Sequence, residues 1–190
     1  MSEPPFRPCQ ACYVVARMET VHISQAETPI GRIRVVSTDN GLAYVELPRA
    51  SGCGMHGWLH HHLPGAGCVE TSDVNRSAIA QILEYLNGER TDFDLPLDLR
   101  GTCFQREVWQ ALQEIPFGEC RSYRDIAVAV GRPKAVRAVG AANGSNPVSL
   151  VVPCHRVINS DGKLGGYGGG LALKARLLAM ESSAGGDRLL

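Results

Sequence analysis

Apolar and polar residues alternate in two runs on either side of Asp39-Asn40-Gly41, within the segment IGRIRVVSTDNGLAYVELP. Alternation of this kind marks strands with one buried face, and Asn-Gly between two such runs is the strongest short hairpin signal. FDLPLDL, residues 93 to 99, alternates again and predicts a third strand. Between these, Ile79, Ile82, Leu83 and Leu86 recur at helical spacing, and Asn87-Gly88 stops the helix. Residues 20–100 therefore read as a small α+β domain with an antiparallel three-stranded sheet. Residues 1–19, rich in proline and polar residues without periodicity, are expected to form a flexible extension.

From residue 101 to 190 the pattern is mainly helical. Thr102 and Gln105 form a capping box, after which Phe104, Val108 and Leu112 recur four apart until Pro116-Phe117-Gly118. Ser122 and Asp125 form a second box, opening a short helix that Gly131 stops. Pro133 is expected to open the next helix, PKAVRAVGAAN, which Asn143-Gly144 ends. Two short helices joined by about three residues predict a winged helix-turn-helix-like domain. A last helix, LALKARLLAME, runs from about Leu171 to Glu181.

The composition, 44% hydrophobic and 20% charged over 190 residues, is that of an ordinary folded protein. No apolar run is long enough for a signal segment or a membrane span, so a cytoplasmic protein with no membrane partner is expected. An odd count of seven cysteines argues against a disulfide framework. The net charge is zero, but 8 basic against 12 acidic residues in 1–100 gives −4, and 11 against 7 in 101–190 gives +4. The second half is the one suited to an anionic partner.

The candidate chemistry lies in VVPCHRVINSDGKLGGYGGG, residues 151 to 170. SLVV reads as a buried extended run that Pro153 must end, which puts Cys154 at a handover to a turn or helix start. Unpaired N–H groups there, with His155 and Arg156 adjacent, are expected to lower the thiol pKa toward neutrality and suit a nucleophile. Neighbours on extended backbone face opposite ways, so contact between His155 and the sulfur needs a turn or a bridging water. Glu181, acidic in the last turn of its helix, is opposed by the helix dipole and is either exposed or specifically partnered. On the second helix of the pair, Lys134, Arg137 and Ala141 share a face, and Ala138, Gly140, Ala141 and Ala142 allow close approach to another surface.

PCHRVI at 153–158, with GSNPV at 144–148, KAVRAVG at 134–140, SYRDIA at 122–127 and GGYGGGLALK at 165–174, resembles the O6-alkylguanine-DNA alkyltransferases of the bacterial type. The likeness runs from about Phe104 to Glu181. It implies direct, single-use DNA repair in which Cys154 takes the alkyl group from O6-alkylguanine, and from O4-alkylthymine, by in-line displacement. His155 and Glu181 are implied as a water-bridged relay drawing off the thiol proton, with Asn146 holding the turn that presents them. Tyr123 is implied to bear on the extruded nucleotide and to help neutralise the leaving guanine. Arg137 is implied as the finger filling the stack, and Tyr167, Val157, Gly168 and Arg156 as the pocket. Lys134, Ala138, Gly140 and Ala141 are implied on the surface that meets double-stranded DNA in the minor groove, with the protein a monomer.

No cofactor is implied. Some family members bind zinc through the N-terminal domain, and Cys9, Cys12, Cys53, His56, His60, His61, His62 and Cys68 have ligand chemistry. Three consecutive histidines cannot all face one ion from a helix, and no second C-x-x-C accompanies the first, so no metal is expected. A lesion-sensing module without chemistry, a Cys/His hydrolase and a helix-turn-helix regulator remain as alternatives to repair.

Overall fold

The structure is a computed structural model and describes residues 19–48, 53–71 and 73–184. Strands β1 (Thr20–Thr28), β2 (Gly31–Thr38) and β3 (Gly41–Glu46) form an antiparallel meander. The turn after β2 is the one signalled by Asn-Gly. Gly41 at φ +134° enters β3 where an added Cβ would stand 2.3 Å from the Pro96 carbonyl oxygen, so only glycine fits.

The expected three-stranded sheet is corrected to four strands in the order β3-β2-β1-β4, because β4 (Gly67–Glu70) pairs parallel with β1. β4 has four residues, three of them exposed, so it carries no alternation to read. Helix α1 (Gly54–His62) precedes it and buries Met55, Trp58 and Leu59. The expected strand at 93–99 does not form. It lies along β3 with one parallel bridge, Leu42 to Leu97, and the bonds Leu42 N–Pro96 O (2.8 Å) and Asp98 N–Leu42 O (2.9 Å). Pro96 has no N–H to extend a ladder. Phe93, Leu95, Leu97 and Leu99 nevertheless pack against the core, which explains the alternation.

Adjacent residues of a strand face opposite ways, and both faces of this sheet are covered. Val21, Val36 and Ala43 pack with α1 in one cluster. Ile33, Val35, Leu42, Val45 and Leu47 pack with the second half of the chain in another. Helix α2 (Arg76–Leu86) joins the latter through Ala78, Ile82, Tyr85 and Leu86, so Tyr85 takes a place on the buried stripe and Ile79 and Leu83 are half-buried.

Helix α3 (Cys103–Gln113) and helix α4 (Tyr123–Ala129) begin with the two expected capping boxes. Strand β5 (Arg121–Ser122) leads into α4 and pairs parallel with β6 (Val157–Ile158). Helix α5 (Val136–Gly144) starts three residues later than the proline signal implied, and the connection from α4 is six residues long. Pro133 instead occupies the second position of a turn closed by Ala135 N to Arg132 O at 2.8 Å, a position its fixed φ suits. Lys134 is therefore in the turn and Arg137 in the first helical turn. Trp109 Nε1 donates to Ala142 O at 2.8 Å and ties α3 to α5. Helix α6 (Leu171–Ala184) closes the fold. The two halves share one core, since Val108, Trp109, Leu112, Val139, Leu150 and Leu177 belong to the same cluster as the β2 and β3 residues.

Glu19, expected within the flexible extension, pairs with Arg100, which also binds Asp98. The rest of that extension, with Cys9 and Cys12, lies outside the described residues. No group of three or more His, Cys, Asp and Glu side chains that could hold a metal ion occurs among the described residues. No described helix is long and apolar enough to cross a membrane.

Asn75, fully buried before α2, accepts from Ser37 Oγ at 2.5 Å and donates to His22 O at 2.9 Å and Ser24 Oγ at 3.0 Å. It joins β1, β2 and α2 through polar contacts, and buried groups that lose a partner cost about 1–3 kcal/mol each. Asn75→Ala is expected to lower the free energy of unfolding by about 2–4 kcal/mol. Urea denaturation checks this, and an unchanged midpoint would contradict it.

Candidate active site

The segment expected to run extended before Pro153 is instead a tight buried turn. Val152 N bonds Val148 O at 2.9 Å, and Leu150 sits at φ +77°, the single non-glycine residue with positive φ among those described. Such a conformation costs about 1–3 kcal/mol and persists only where neighbours over-determine it. Asn146 supplies one constraint from both ends of its amide: Nδ2 donates to Val152 O at 2.8 Å, and Oδ1 accepts from Val148 N at 3.0 Å. The sheet supplies another, through Val45 N to Pro147 O at 2.8 Å.

Cys154 emerges from this turn at the start of a three-residue 3-10 turn, Cys154–Arg156, and is 4% exposed. It floors a cleft of about 80 Å³ whose walls include Tyr44, Asn143, Asn146, Ser149, Tyr167 and Gly168. Its thiol pKa moves up, opposite to the sequence expectation. Burial drives it upward, and the nearby Asn146 and Ser149 side chains and the Lys174 charge offset this only in part. A single 3-10 turn has too little dipole to overcome complete burial.

Behind the sulfur lies a buried polar cluster. His155 Nε2 stands 2.8 Å from Glu181 Oε1, both side chains being excluded from solvent. A carboxylate accepts, so Nε2 carries the proton and Nδ1 is the basic nitrogen; no described residue gives Nδ1 a hydrogen-bond partner. Burial lowers the His155 pKa and the Glu181 bond and charge only partly restore it, so the ring is neutral at neutral pH. For Glu181 burial acts to raise the pKa, but the hydrogen bonds from His155 and Arg156 bring it down to about 2. With His155 neutral, Arg156 is the cation that keeps Glu181 ionised.

Arg156, expected in the pocket wall, lies behind it. Its Nε approaches Glu181 Oε2 at 2.9 Å, another guanidinium nitrogen approaches Oε1 at 3.0 Å, and a third donates to Ile115 O at 2.6 Å. Gly118 N donates to Glu181 Oε2 at 3.1 Å. Val157 is likewise fully buried, and its carbonyl accepts from Lys174 Nζ at 2.5 Å.

Tyr123 packs between α5 and the glycine-rich loop. An added Cβ would fall 4.0 Å from its ring at Gly140, and 3.0 Å from its ring and hydroxyl at Gly165, which also has φ +67°. Burial above all raises the Tyr123 pKa, and the nearness of the Cys154 sulfur acts in the same direction, so its hydroxyl stays protonated. The Tyr167 hydroxyl is buried with no partner among the described residues, and Gly168 meets nothing within 4 Å of an added Cβ. Away from the cleft, Arg137, Ala138 and Ala141 are exposed on α5 and Lys134 on the preceding turn, while Val139, Ala142 and Asn143 face inward.

Beyond Tyr44 and Ser149 of the cleft wall, Tyr85, Lys174 and Asn143 were also not read as site residues from the sequence. Tyr85, on α2 in the first half of the chain, donates to Glu181 Oε1 at 2.6 Å, with its oxygen 3.1 Å from His155 Nε2. Nothing in a helical stripe distinguishes it from a core aromatic. Lys174, fully buried, also donates to Leu164 O and Gly166 O and so pins the loop onto α6. A signal existed: Lys174, Leu177 and Glu181 are spaced i, i+3, i+7, putting two charged residues on a buried stripe. Asn143, in the cleft wall, reads as a plain helix stop.

Residues 21–99 match the family described as 6-O-methylguanine DNA methyltransferase, ribonuclease-like domain, and residues 103–183 match 6-O-methylguanine DNA methyltransferase, DNA binding domain. The methylated-DNA–protein-cysteine methyltransferase of Mycolicibacterium paratuberculosis is 47% identical over 156 residues, covering 82% of this chain and 88% of that protein. The inducible one of Bacillus subtilis is 43% identical over 153 residues, covering 80% and 86%. The crystal structure of Mycobacterium tuberculosis OGT in complex with DNA has a TM-score of 0.73 at 41% identity, covering 86% of this chain and 94% of that one. The two matched segments and the extent of these likenesses make this chain a member of the 6-O-methylguanine DNA methyltransferase family.

Proposed function

We propose that the chain repairs alkylated DNA directly, moving the alkyl group of O6-alkylguanine in double-stranded DNA onto its own Cys154, once and irreversibly, with O4-alkylthymine as a second substrate. The observation that carries this is a buried thiol flooring a cleft, backed by a neutral His155 and an ionised Glu181. Family membership supports it, as does the name carried by the relatives.

A buried sulfur cannot meet a base inside a duplex, so the damaged nucleotide must be extruded into the cleft, at a cost of a few kcal/mol. The thiol proton passes to His155 Nδ1, directly or through one water, while the Nε2–H bond to Glu181 stabilises the imidazolium that forms. The sulfur then attacks the alkyl carbon, the C–O6 bond breaks, and its electron pair leaves on the base. Tyr123, still protonated, donates toward that charge. Atoms and electrons balance without a cofactor: thiol plus alkylated base gives thioether plus base.

The exposed face of α5 is the docking surface. Ala138 and Ala141 let backbone approach the minor groove, Lys134 meets phosphate, and Arg137 enters the stack that the base has left. A monomer suffices, because every group invoked comes from one chain.

Incubation with an oligonucleotide duplex containing O6-methylguanine is expected to add one methyl, and no more, to the peptide bearing Cys154. Intact and peptide mass spectrometry read this, and an unmodified Cys154 in wild-type protein would overturn the proposal. Arg137→Ala is expected to slow transfer from duplex by roughly tenfold or more, as the few kcal/mol of base extrusion imply, while sparing the free base O6-benzylguanine. Equal slowing on both substrates would remove the intercalating role.

Tyr85→Phe should move the pH dependence. His155 acts as the neutral base, so the single-turnover rate falls as pH drops through its lowered pKa. Removing the Tyr85 hydroxyl leaves more negative charge on Glu181 facing His155, which favours the imidazolium and raises that pKa. The acid limb of the rate profile is therefore expected to shift to higher pH, whereas a purely structural role would lower the rate without moving the limb.

A further inference from the structure

The turn before Cys154 doubles the chain back on itself. Val152 N bonds Val148 O at 2.9 Å, Cys154 N bonds Val152 O at 2.8 Å, and Ser149 stands opposite Val152 in a short parallel bridge. Residue 149 is thereby returned to residue 154, and the two line the same cleft. Serines in turns commonly give their hydroxyl to nearby backbone, as Ser145 does to Ala142 O at 3.1 Å. Ser149 does not: it is half-buried on the cleft wall, and its hydroxyl bonds neither backbone nor another side chain among the described residues. The turn has no need of it, since Asn146 clamps that turn from both ends of its amide. The side chain acts on the sulfur instead. Burial raises the Cys154 pKa most, and Asn146 and then Ser149 oppose it through hydrogen bonding.

A thiol is a weak acceptor and a sulfur anion a strong one, so a donor beside the sulfur gains most once the proton has left. Interactions that strengthen only as charge develops are the ones that speed a reaction, and a donor carried on a rigid turn needs no reorganisation to make one. We infer that Ser149 is a further catalytic residue, whose hydroxyl donates to the sulfur anion formed when Cys154 gives its proton to His155. The serine keeps its own proton throughout. As the sulfur–carbon bond forms and the C–O6 bond breaks, the negative charge passes from sulfur to the base, and the hydroxyl bond slackens against a neutral thioether. The inference rests on the repair reading above and adds which group meets the sulfur's charge between proton loss and transfer. Lys174 does not replace it, because its Nζ is committed to Val157 O and reaches the sulfur only as a charge.

The test reads the thiol apart from DNA. Iodoacetamide alkylates Cys154 in proportion to its thiolate, and peptide mass spectrometry follows that residue alone. In Ser149→Ala the midpoint of the rate against pH is expected to rise by about one unit, the shift implied by one lost bond to a charged acceptor, with the rates converging above it. Transfer from a duplex holding O6-methylguanine is expected to slow roughly tenfold below that midpoint. Ser149→Thr and Ser149→Val share one shape and differ by a hydroxyl, so the threonine variant is expected to keep the wild-type midpoint and the valine variant to follow alanine. The titratable groups around the sulfur are common to all four proteins: Lys174 from α6, Tyr123 from α4, Tyr167 from the glycine-rich loop, Tyr44 from β3 and His155 on its own turn. An iodoacetamide midpoint unmoved in Ser149→Ala, or threonine and valine variants that behave alike, would overturn the inference and leave the repair reading intact. A loss confined to the duplex would also overturn it, by assigning the hydroxyl to the base. Should the midpoints separate as expected while wild type takes no methyl from the duplex, the repair reading would fall and the donor to the sulfur would stand.

Discussion

A carboxylate removed from water must be met by donors on every side, and in this molecule that requirement falls on Glu181. Its two oxygens collect Tyr85 from α2, His155 and Arg156 from the 3-10 turn, and the Gly118 amide from the connection after α3. Segments far apart in sequence are thus held around one charge. The stability gained from such a cluster is small, because desolvation offsets most of the attraction, but displacing any one donor leaves a charge uncompensated. The cluster therefore acts on precision: it orients His155, fixes its tautomer and ties the first half of the chain to the chemistry of the second. The shared core and the Val45 bond to the turn before Cys154 act in the same sense.

The same burial that demands this compensation sets the resting state of the nucleophile. A thiol at a strand-to-helix handover is ordinarily activated by nearby N–H groups, hence the expectation of a lowered pKa. The handover here is one 3-10 turn beneath a packed roof, so desolvation wins and the sulfur stays protonated. In the proposed reaction, activation therefore comes from His155 as the alkyl group is transferred. A sulfur kept as thiol and 4% exposed is also poorly placed for oxidation, which follows thiolate character and access. The exposed cysteines, Cys53, Cys68, Cys103 and Cys120, have no such cover.

Much of this was legible in the chain. The Asn-Gly hairpin, both capping boxes and the α6 start at Leu171 follow from local signals, which are what a single sequence carries, whereas Asn146 beside the Cys154 turn was implied by the family resemblance. What stayed hidden depends on tertiary partners. β4 is too short and exposed to show a period, residues 93–99 show a strand's period but are stopped by Pro96, and SLVV is apolar enough for a strand yet folds as a turn because Asn146 clamps it. The family resemblance implied Arg156 in the pocket, and only the buried carboxylate 25 positions on explains why it turns inward. Tyr85 was unreadable for the same reason, being 96 positions from the group it bonds.

Irreversibility follows from these surroundings as well as from the bond formed. Displacement at the alkyl carbon runs forward because a purine anion, its charge spread over the ring, leaves more easily than a thiolate does. The thioether produced would need a strong nucleophile approaching in line from the cleft side, where Asn143, Asn146, Ser149 and Tyr167 leave about 80 Å³. His155 is no help, since its basic Nδ1 serves the sulfur side and its other nitrogen is held by Glu181. A hydrolytic enzyme with the same Cys and His would need a second water held against the alkyl carbon and a leaving group better than sulfur. One equivalent per chain is therefore the natural stoichiometry of this geometry.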